Sequence, residues 1–200
     1  MRLSARVDYA LRAVAELAAH AESSGFGPEP RPGSGADGGP GSEDRALSAG
    51  RGAGNGPTRP GESGRGGGPV GRPSPVTAEQ IARAQEIPPK FLESILLQLR
   101  RGGIVHAQRG PEGGYWLARP ATEISLAEVI RVIDGPLANI RGQRPEDLGY
   151  HGAARALQEV WIALRASERE ILELVTIADV AGGKLPDRVR DLAADPSAWT

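Results

Sequence analysis

Residues Gln108 to Pro120 read QRGPEGGYWLARP, and a loop this rich in glycine beside an arginine has two chemical uses. It can cradle a phosphate on backbone N–H groups, or it can turn a tight hairpin that carries Arg109 and Gly110 outward to a polyanion. A phosphate-cradling P-loop needs Gly-Lys-Ser/Thr leading into a helix. Here the glycines lead into Tyr115, Trp116 and Leu117, an apolar run suited to a strand, so the hairpin fits better. A hairpin without function stays open as a reading, because every tight turn favours Gly. The other chemically able residues are sparse. His20, His106 and His151 are too scattered for metal spacing on one helix or hairpin. The chain has no cysteine, which removes disulfides, thiolate nucleophiles, cysteine-held zinc and ordinary iron–sulfur ligation. No paired carboxylates and no nucleophile beside a base fall at a recognisable spacing. The expectation is a chain that is not an enzyme and holds no metal or cofactor; a Ser, His and Asp assembled only in space is the alternative.

The elements that must position the loop are short and well punctuated. Val7, Leu11, Val14, Leu17 and Ala18 recur at helical spacing, so residues 4–20 form an amphipathic first helix. Thr77 to Gln80, TAEQ, is a capping box that opens a second helix through Ile81, Ala82 and Ala84. Pro88 and Pro89 suit a turn and the first position of a third helix. Its stripe Phe91, Leu92, Ile95, Leu96 and Leu99 is expected to be buried, and Gly102 with Gly103 end it. Lys90, Glu93, Ser94, Leu97 and Arg101 point away from that stripe. IVHAQR and YWLAR then flank GPEGG as two strands of a hairpin. Ser125 to Glu128, SLAE, reads as another capping box, opening a helix that stops at Gly135 and Pro136.

Between helices one and two lies a different kind of sequence. Residues 25–75 hold 17 of the 28 Gly and 9 of the 17 Pro, with no apolar periodicity, so this insert is expected to remain disordered. The rest of the chain leans basic before residue 120 and acidic after it: residues 77–119 sum to +2 and residues 120–200 to −4. No apolar run approaches the roughly 20 residues of a membrane span, so the expectation is a cytoplasmic protein without membrane contact. Residues 137–152 are irregular. Residues 153–181 read as one long helix with Leu157, Leu164, Ile171 and Ala178 seven apart, and Val160 and Leu174 between. A repeat sustained on a helix this long needs a partner surface, and a second copy supplies it. Leu157, Val160, Trp161, Leu164, Ile171 and Leu174 are the expected dimerisation residues, followed by a tail over 182–200.

Short helix, turn, second helix with a polar outer face, then a glycine-tipped hairpin is the order of a winged helix-turn-helix. The fold class is mainly α with a small β-hairpin wing, plus a long C-terminal dimerisation helix. Its DNA-binding domain takes residues 1–24 and 76–136. A helix fits the major groove and presents side chains to base edges, while the hairpin tip lies on the backbone or in the minor groove. Lys90, Glu93, Ser94 and Arg101 would face the DNA, with Arg109 and Gly110 at the wing tip. The alternative is a helical protein-interaction module that keeps the winged architecture without DNA affinity, in keeping with the net charge of −1.

The run TAEQIARAQEIPPKFLESILLQLRRGGIVHAQRGPEGGYWLARP to EISLAEVIRVIDGPL, preceded by MRLSARVDYALRAVAELA, resembles the IscR/NsrR/BadM type of bacterial regulator, the Rrf-two family. EVWIALRASEREILELVTIADVA is similar to the dimerisation helix of that family. Together they cover nearly all the chain outside the insert and residues 138–156, and RGPxGGY is the most specific motif. The resemblance implies a homodimeric, sequence-specific DNA-binding transcriptional regulator, here a repressor, on a palindromic double-stranded operator. It matches Glu93 to a base-reading Glu and Arg109 to a wing Arg. Many members of the family hold an iron–sulfur cluster on three Cys before the long helix, some adding an acidic residue and a His from helix one. Asn139 to Gln158 has none of the Cys, and the helix-one positions here are Asp8 and Arg12, so the chain resembles the cysteine-less subset. Residues 139–152, with Arg141, Arg144, Glu146, Asp147, Tyr150 and His151, stand where relatives keep their sensor and are expected to contact an unidentified effector or protein.

Closure of a loop of about 50 residues instead of about 6 costs only roughly 2 kcal/mol. Deletion of residues 27–73 is therefore expected to leave the melting temperature nearly unchanged, and a collapse in a thermal melt would show that the insert packs on the domain.

Overall fold

The computed structural model describes residues 3–23 and 74–199. The expected disorder of the insert concerns residues that, apart from Ser74 and Pro75, lie outside the described ones. Helix α1, Ala5–Ser23, starts where Ser4 Oγ accepts the Val7 N–H at 3.2 Å. Val7, Ala10, Ala13, Val14, Leu17 and Ala18 are buried along it, whereas Leu11 is only half-buried. Because five of its six buried positions are alanine or valine, other elements approach this helix closely; four other helices and the hairpin pack against it.

Helix α2, Ala78–Ala84, carries the expected capping box. Thr77 Oγ1 accepts the Gln80 N–H at 3.2 Å and Gln80 Oε1 accepts the Thr77 N–H at 2.8 Å. Such a cap is worth about 1 kcal/mol. Helix α3, Pro89–Arg101, follows after Ile87. Leu92, Ile95, Leu96 and Leu99 are buried in the main core with Ala10, Ala13, Val14 and Leu17 of α1. At about 1.5–3 kcal/mol each, these four side chains fix the rotation of α3. Phe91 departs from expectation. It is 54% exposed, its ring centroid 6.3 Å from that of Tyr9. At 100° per residue it stands about a quarter turn from the centre of the buried stripe, at the rim of the core. Gly102 ends α3, and a Cβ there would meet Val132 at 2.6 Å, so glycine permits the next helix to pass close by.

Strands β1, Val105–Gln108, and β2, Gly114–Leu117, pair antiparallel with His106 opposite Trp116 and Gln108 opposite Gly114. A contact not foreseen from sequence anchors the hairpin: Val76, just before α2, exchanges both backbone hydrogen bonds with Tyr115, at 2.9 and 2.8 Å. Helix α4, Leu126–Asp134, begins at Ser125, whose Oγ accepts the Glu128 N–H at 3.2 Å. The capping box expected here forms only half, because the Glu128 carboxylate instead accepts from Arg119. Gly135, at φ 84°, ends the helix where Gly135 and Pro136 were expected to.

The C-terminal part corrects the sequence reading most. Residues 153–181 are not one helix. A 3-10 turn covers Gly152–Ala154, α5 runs Leu157–Leu174, the backbone is extended at Val175 and Thr176, and α6 covers Ile177–Ala181. Thr176 and Asp179 form a capping box of their own, and Ser125 and Thr176 form a β-bridge. The Ile177 N–H donates to Ile124 O at 2.8 Å, and Ile177 is fully buried in the main core. Residues 182–200, expected as a tail, contain α7, Asp187–Ala194, and a 3-10 turn over Pro196–Trp199.

Since α6 packs on α1 through a buried isoleucine, Ile177→Ala is expected to lower stability by about 2–5 kcal/mol. Denaturant unfolding checks this, and an unchanged midpoint would show that α6 contributes nothing to the head.

Candidate nucleic-acid interface

Once the aliphatic stripe of α3 is seated, positions 90, 93, 94, 97 and 101 must emerge together, being three, four, seven and eleven residues apart. Lys90, Glu93, Ser94, Leu97 and Arg101 are all exposed. Arg100 is exposed at the edge of the same face; helical rotation from Leu99 would have pointed to it, and the sequence reading left it out. Among the described residues, Lys90, Glu93, Arg100 and Arg101 make no ion pair. Ser94 Oγ donates to Phe91 O at 2.9 Å, which leaves its oxygen able to accept. At 1.5 Å per residue α3 is roughly 20 Å long, a length that a major groove accommodates.

The hairpin tip is built by its backbone. Gly110 takes φ 112° with open space around it, and Gly113 donates to Gly110 O at 2.9 Å. A Cβ on Gly113 would lie 2.4 Å from Gln108 O, and one on Gly114 would lie 2.7 Å from Val76 O, so both positions exclude side chains. The outcome is a narrow turn with Arg109, Gly110 and Glu112 exposed and Arg109 free of ion pairs among the described residues. The loop leads into a strand and not a helix, so it lacks the helix N-terminus that a phosphate cradle requires. The His106 and Trp116 rings, 5.7 Å apart, stack across the strands below the tip.

Helix one's Arg12 and Asp8 form an ion pair at 3.3 Å, and Arg12 also donates to Gln85 O at the end of α2 while lying over the Tyr9 ring. This arginine joins two helices.

The irregular segment after α4 is fastened to α5. Arg165 Nη1 donates to both Glu146 oxygens, at 2.6 and 2.5 Å, and Gln158 Nε2 donates to Glu146 O at 3.2 Å. Glu146 is held below the usual carboxylate range by its own backbone N–H, by Arg165 and by the charge of Arg144. Glu173 is likewise held low by hydrogen bonds from Arg169 and Arg131 and by their charges. His151 is exposed and Arg141 takes φ 54° in a tight turn. Trp161, grouped by sequence with the dimer residues, turns to its own chain: its indole N–H donates to Tyr150 Oη at 3.1 Å, and it lines a cleft with Leu3, Ile130 and Leu137. Leu157, Val160, Leu164 and Leu174 remain exposed, Ile171 half-buried. Ala178, counted in the same repeat, belongs to α6, a separate helix that packs on α1. Among the described residues no helix is long and apolar enough to cross a membrane.

Residues 70–183 match the sequence model of the family described as Rrf2, Iron-dependent Transcriptional regulator. A Mycobacterium tuberculosis chain named as an HTH-type transcriptional regulator is 56% identical over 120 residues, 60% of this chain and 74% of its own. The HTH-type transcriptional regulator CymR of Bacillus subtilis is 30% identical over 107 residues, 54% of this chain and 72% of its own. The solved structure of CymR, the global cysteine regulator of B. subtilis, matches with a TM-score of 0.56 at 21% identity, covering 91% of this chain and 97% of that one. That of T. potens IscR matches with a TM-score of 0.53 at 21% identity, covering 100% and 97%. At such identity the structural likeness is one of fold, the winged helix.

The family description names iron, and the donors of this chain do not fit a thiolate-held cluster. Its 200 residues include no Cys, and among the described residues no three His, Asp or Glu side chains converge as metal ligands would.

Proposed function

The chain belongs to the Rrf2 family of transcriptional regulators, and from that premise we propose that it reads a palindromic operator as a homodimer, in the cytoplasm, as a repressor that works without an iron–sulfur cluster. In this reading α3 enters the major groove, with Lys90, Arg100 and Arg101 near phosphates and Glu93 and Ser94 toward base edges. Glu93 suits a cytosine N4 donor and repels phosphate where the base is wrong. Arg109 reaches into the minor groove or onto the adjacent backbone, with Gly110 allowing the close approach. The observation that carries the reading is that the outer face of α3 and the hairpin tip are both exposed, and that their cations have no carboxylate partner among the described residues.

A second copy is the occupant we assign to α5. Its residues divide by rotation. Gln158, Trp161, Arg165 and Leu172 lie on the side that meets the chain's own α4 and 145–147 turn, and Leu157, Val160, Leu164, Ile171 and Leu174 lie on another, about a third of a turn away. Leu157, Val160, Leu164 and Leu174 are 40%, 53%, 45% and 45% exposed, an apolar strip the length of the helix. Such a strip, repeating at three and four residues, is self-complementary when two helices lie against each other. Two heads then face one side of a duplex, as half-sites one helical turn apart require.

Two measurements test the proposal. Arg109→Ala is expected to weaken operator binding by about 1–3 kcal/mol without changing the mass of the dimer. In the same titration the wild-type affinity should fall steeply as salt rises. Flat, negligible binding at low salt would favour the protein-interaction module instead. Val160→Asp places a charge on the most exposed residue of the strip and is expected to give a monomer by light scattering that no longer binds the palindrome. A variant that remains dimeric would move the interface off α5.

A further inference from the structure

At the junction of α4, the irregular segment and α5, a cleft of about 370 Å³ is lined by Arg131, Arg144, Arg165 and Arg169, with Pro136 and Leu137 as its apolar floor. No carboxylate lines it. Of the acids on these segments, Glu173 accepts from Arg131 and Arg169, Glu146 accepts from Arg165 while feeling the charge of Arg144, and Glu168, three residues on from Arg165, keeps one oxygen buried without a partner. Four arginines against these three carboxylates leave a net positive charge, and all four arginines line one small space. Three carboxylates could be clamped by three arginines. Here there are four, Arg144 makes no hydrogen bond with its side chain among the described residues, and Arg165 Nε is buried without an acceptor.

We propose that this cleft is a binding site for a small anion carrying at least two negative charges, a phosphate ester or a polycarboxylate metabolite. The planar guanidinium forks match either oxyanion bidentately, and the apolar floor and partial enclosure strengthen the attraction relative to open water. The volume falls within the range of small-ligand pockets. Because Arg131 belongs to α4, Arg144 to the connecting segment and Arg165 and Arg169 to α5, the anion draws three segments together. Helix α4 packs against α3 through Val132 and Gly102, so the occupied cleft fixes the angle between the DNA-reading head and the dimer helix. The binding step stands on the cleft alone. Its effect on operator affinity rests on the reading of α3 and α5 given above.

Isothermal titration of the full chain with pyrophosphate and with citrate, against chloride at matched ionic strength, tests the site without DNA. Saturable binding at one site per chain is expected for one or both probes, and which of them binds distinguishes a phosphate ester from a polycarboxylate. Arg144→Gln and Arg169→Gln should each weaken it about tenfold, the loss of one charge-assisted contact. Arg144→Gln should melt like the wild type, since that side chain makes no hydrogen bond among the described residues. Heat that follows ionic strength alone, or binding equal in wild type and both variants, would overturn the site. The bound probe should then change operator affinity in wild type, and in Arg144→Gln only at about tenfold higher probe concentration. An equal response in the two proteins would overturn the regulatory step while leaving the measured DNA binding intact.

Discussion

The structure depends on how α3 is seated. Leu92, Ile95, Leu96 and Leu99 sink into a core whose other wall is α1, and α1 offers mostly alanine and valine there. Small residues bring the two helix axes close, so the stripe is held on a short lever and α3 cannot roll. A rotation that buried Lys90 or Glu93 would withdraw leucine and isoleucine from the core, at about 1.5–3 kcal/mol for each. The polar face is thus fixed by what lies beneath it, and the hairpin inherits its place from the same core through Ile104 and Val105.

Interactions whose partners lie within a few residues were legible in the sequence. The TAEQ box, the Ser125 cap, the glycine turn at 110–113 and the stop at Gly135 are all local hydrogen-bond or backbone requirements, and each could be read from residue type alone. What was not legible needed a distant partner. Val76 bonds to Tyr115 across 39 positions, the Glu128 carboxylate accepts from Arg119 while its N–H keeps the Ser125 cap, and Phe91 at the rim meets Tyr9. Which side chains form the exposed polar face of α3 was recoverable from rotation about the helix, with Arg100 the omission.

The break after Leu174 is a different lesson, since TIAD carries the same kind of signal as TAEQ. An apolar repeat of seven ran through it and concealed it. Periodicity reports that a residue is apolar at a given angle, without saying whether its own chain or another covers it. Ile177 answers to its own core, Val160 stands 53% exposed, Leu164 edges an open cleft, and Trp161 answers to Tyr150. One sequence pattern therefore spanned three different environments.

The helical core around α1 and α4 meets α5 through two kinds of contact with different sensitivities. The apolar part, Val7, Ala127, Ile130 and Leu137 with Leu172, is small, and the rest is the arginine and glutamate network. Ion pairs that are nearly half exposed are individually weak and are screened by salt. In the proposed homodimer salt would therefore act twice, at the DNA phosphates and at the joint between α4 and α5. The two effects have different forms. Counterion release makes the logarithm of affinity fall linearly with the logarithm of salt, whatever the anion, whereas occupancy of a cleft saturates and depends on the anion's charge and shape. A joint made mainly of apolar packing would show only the first. On the proposed reading, the share of ionic contacts here is what would let the chemistry of a bound anion, and not ionic strength alone, reach α3.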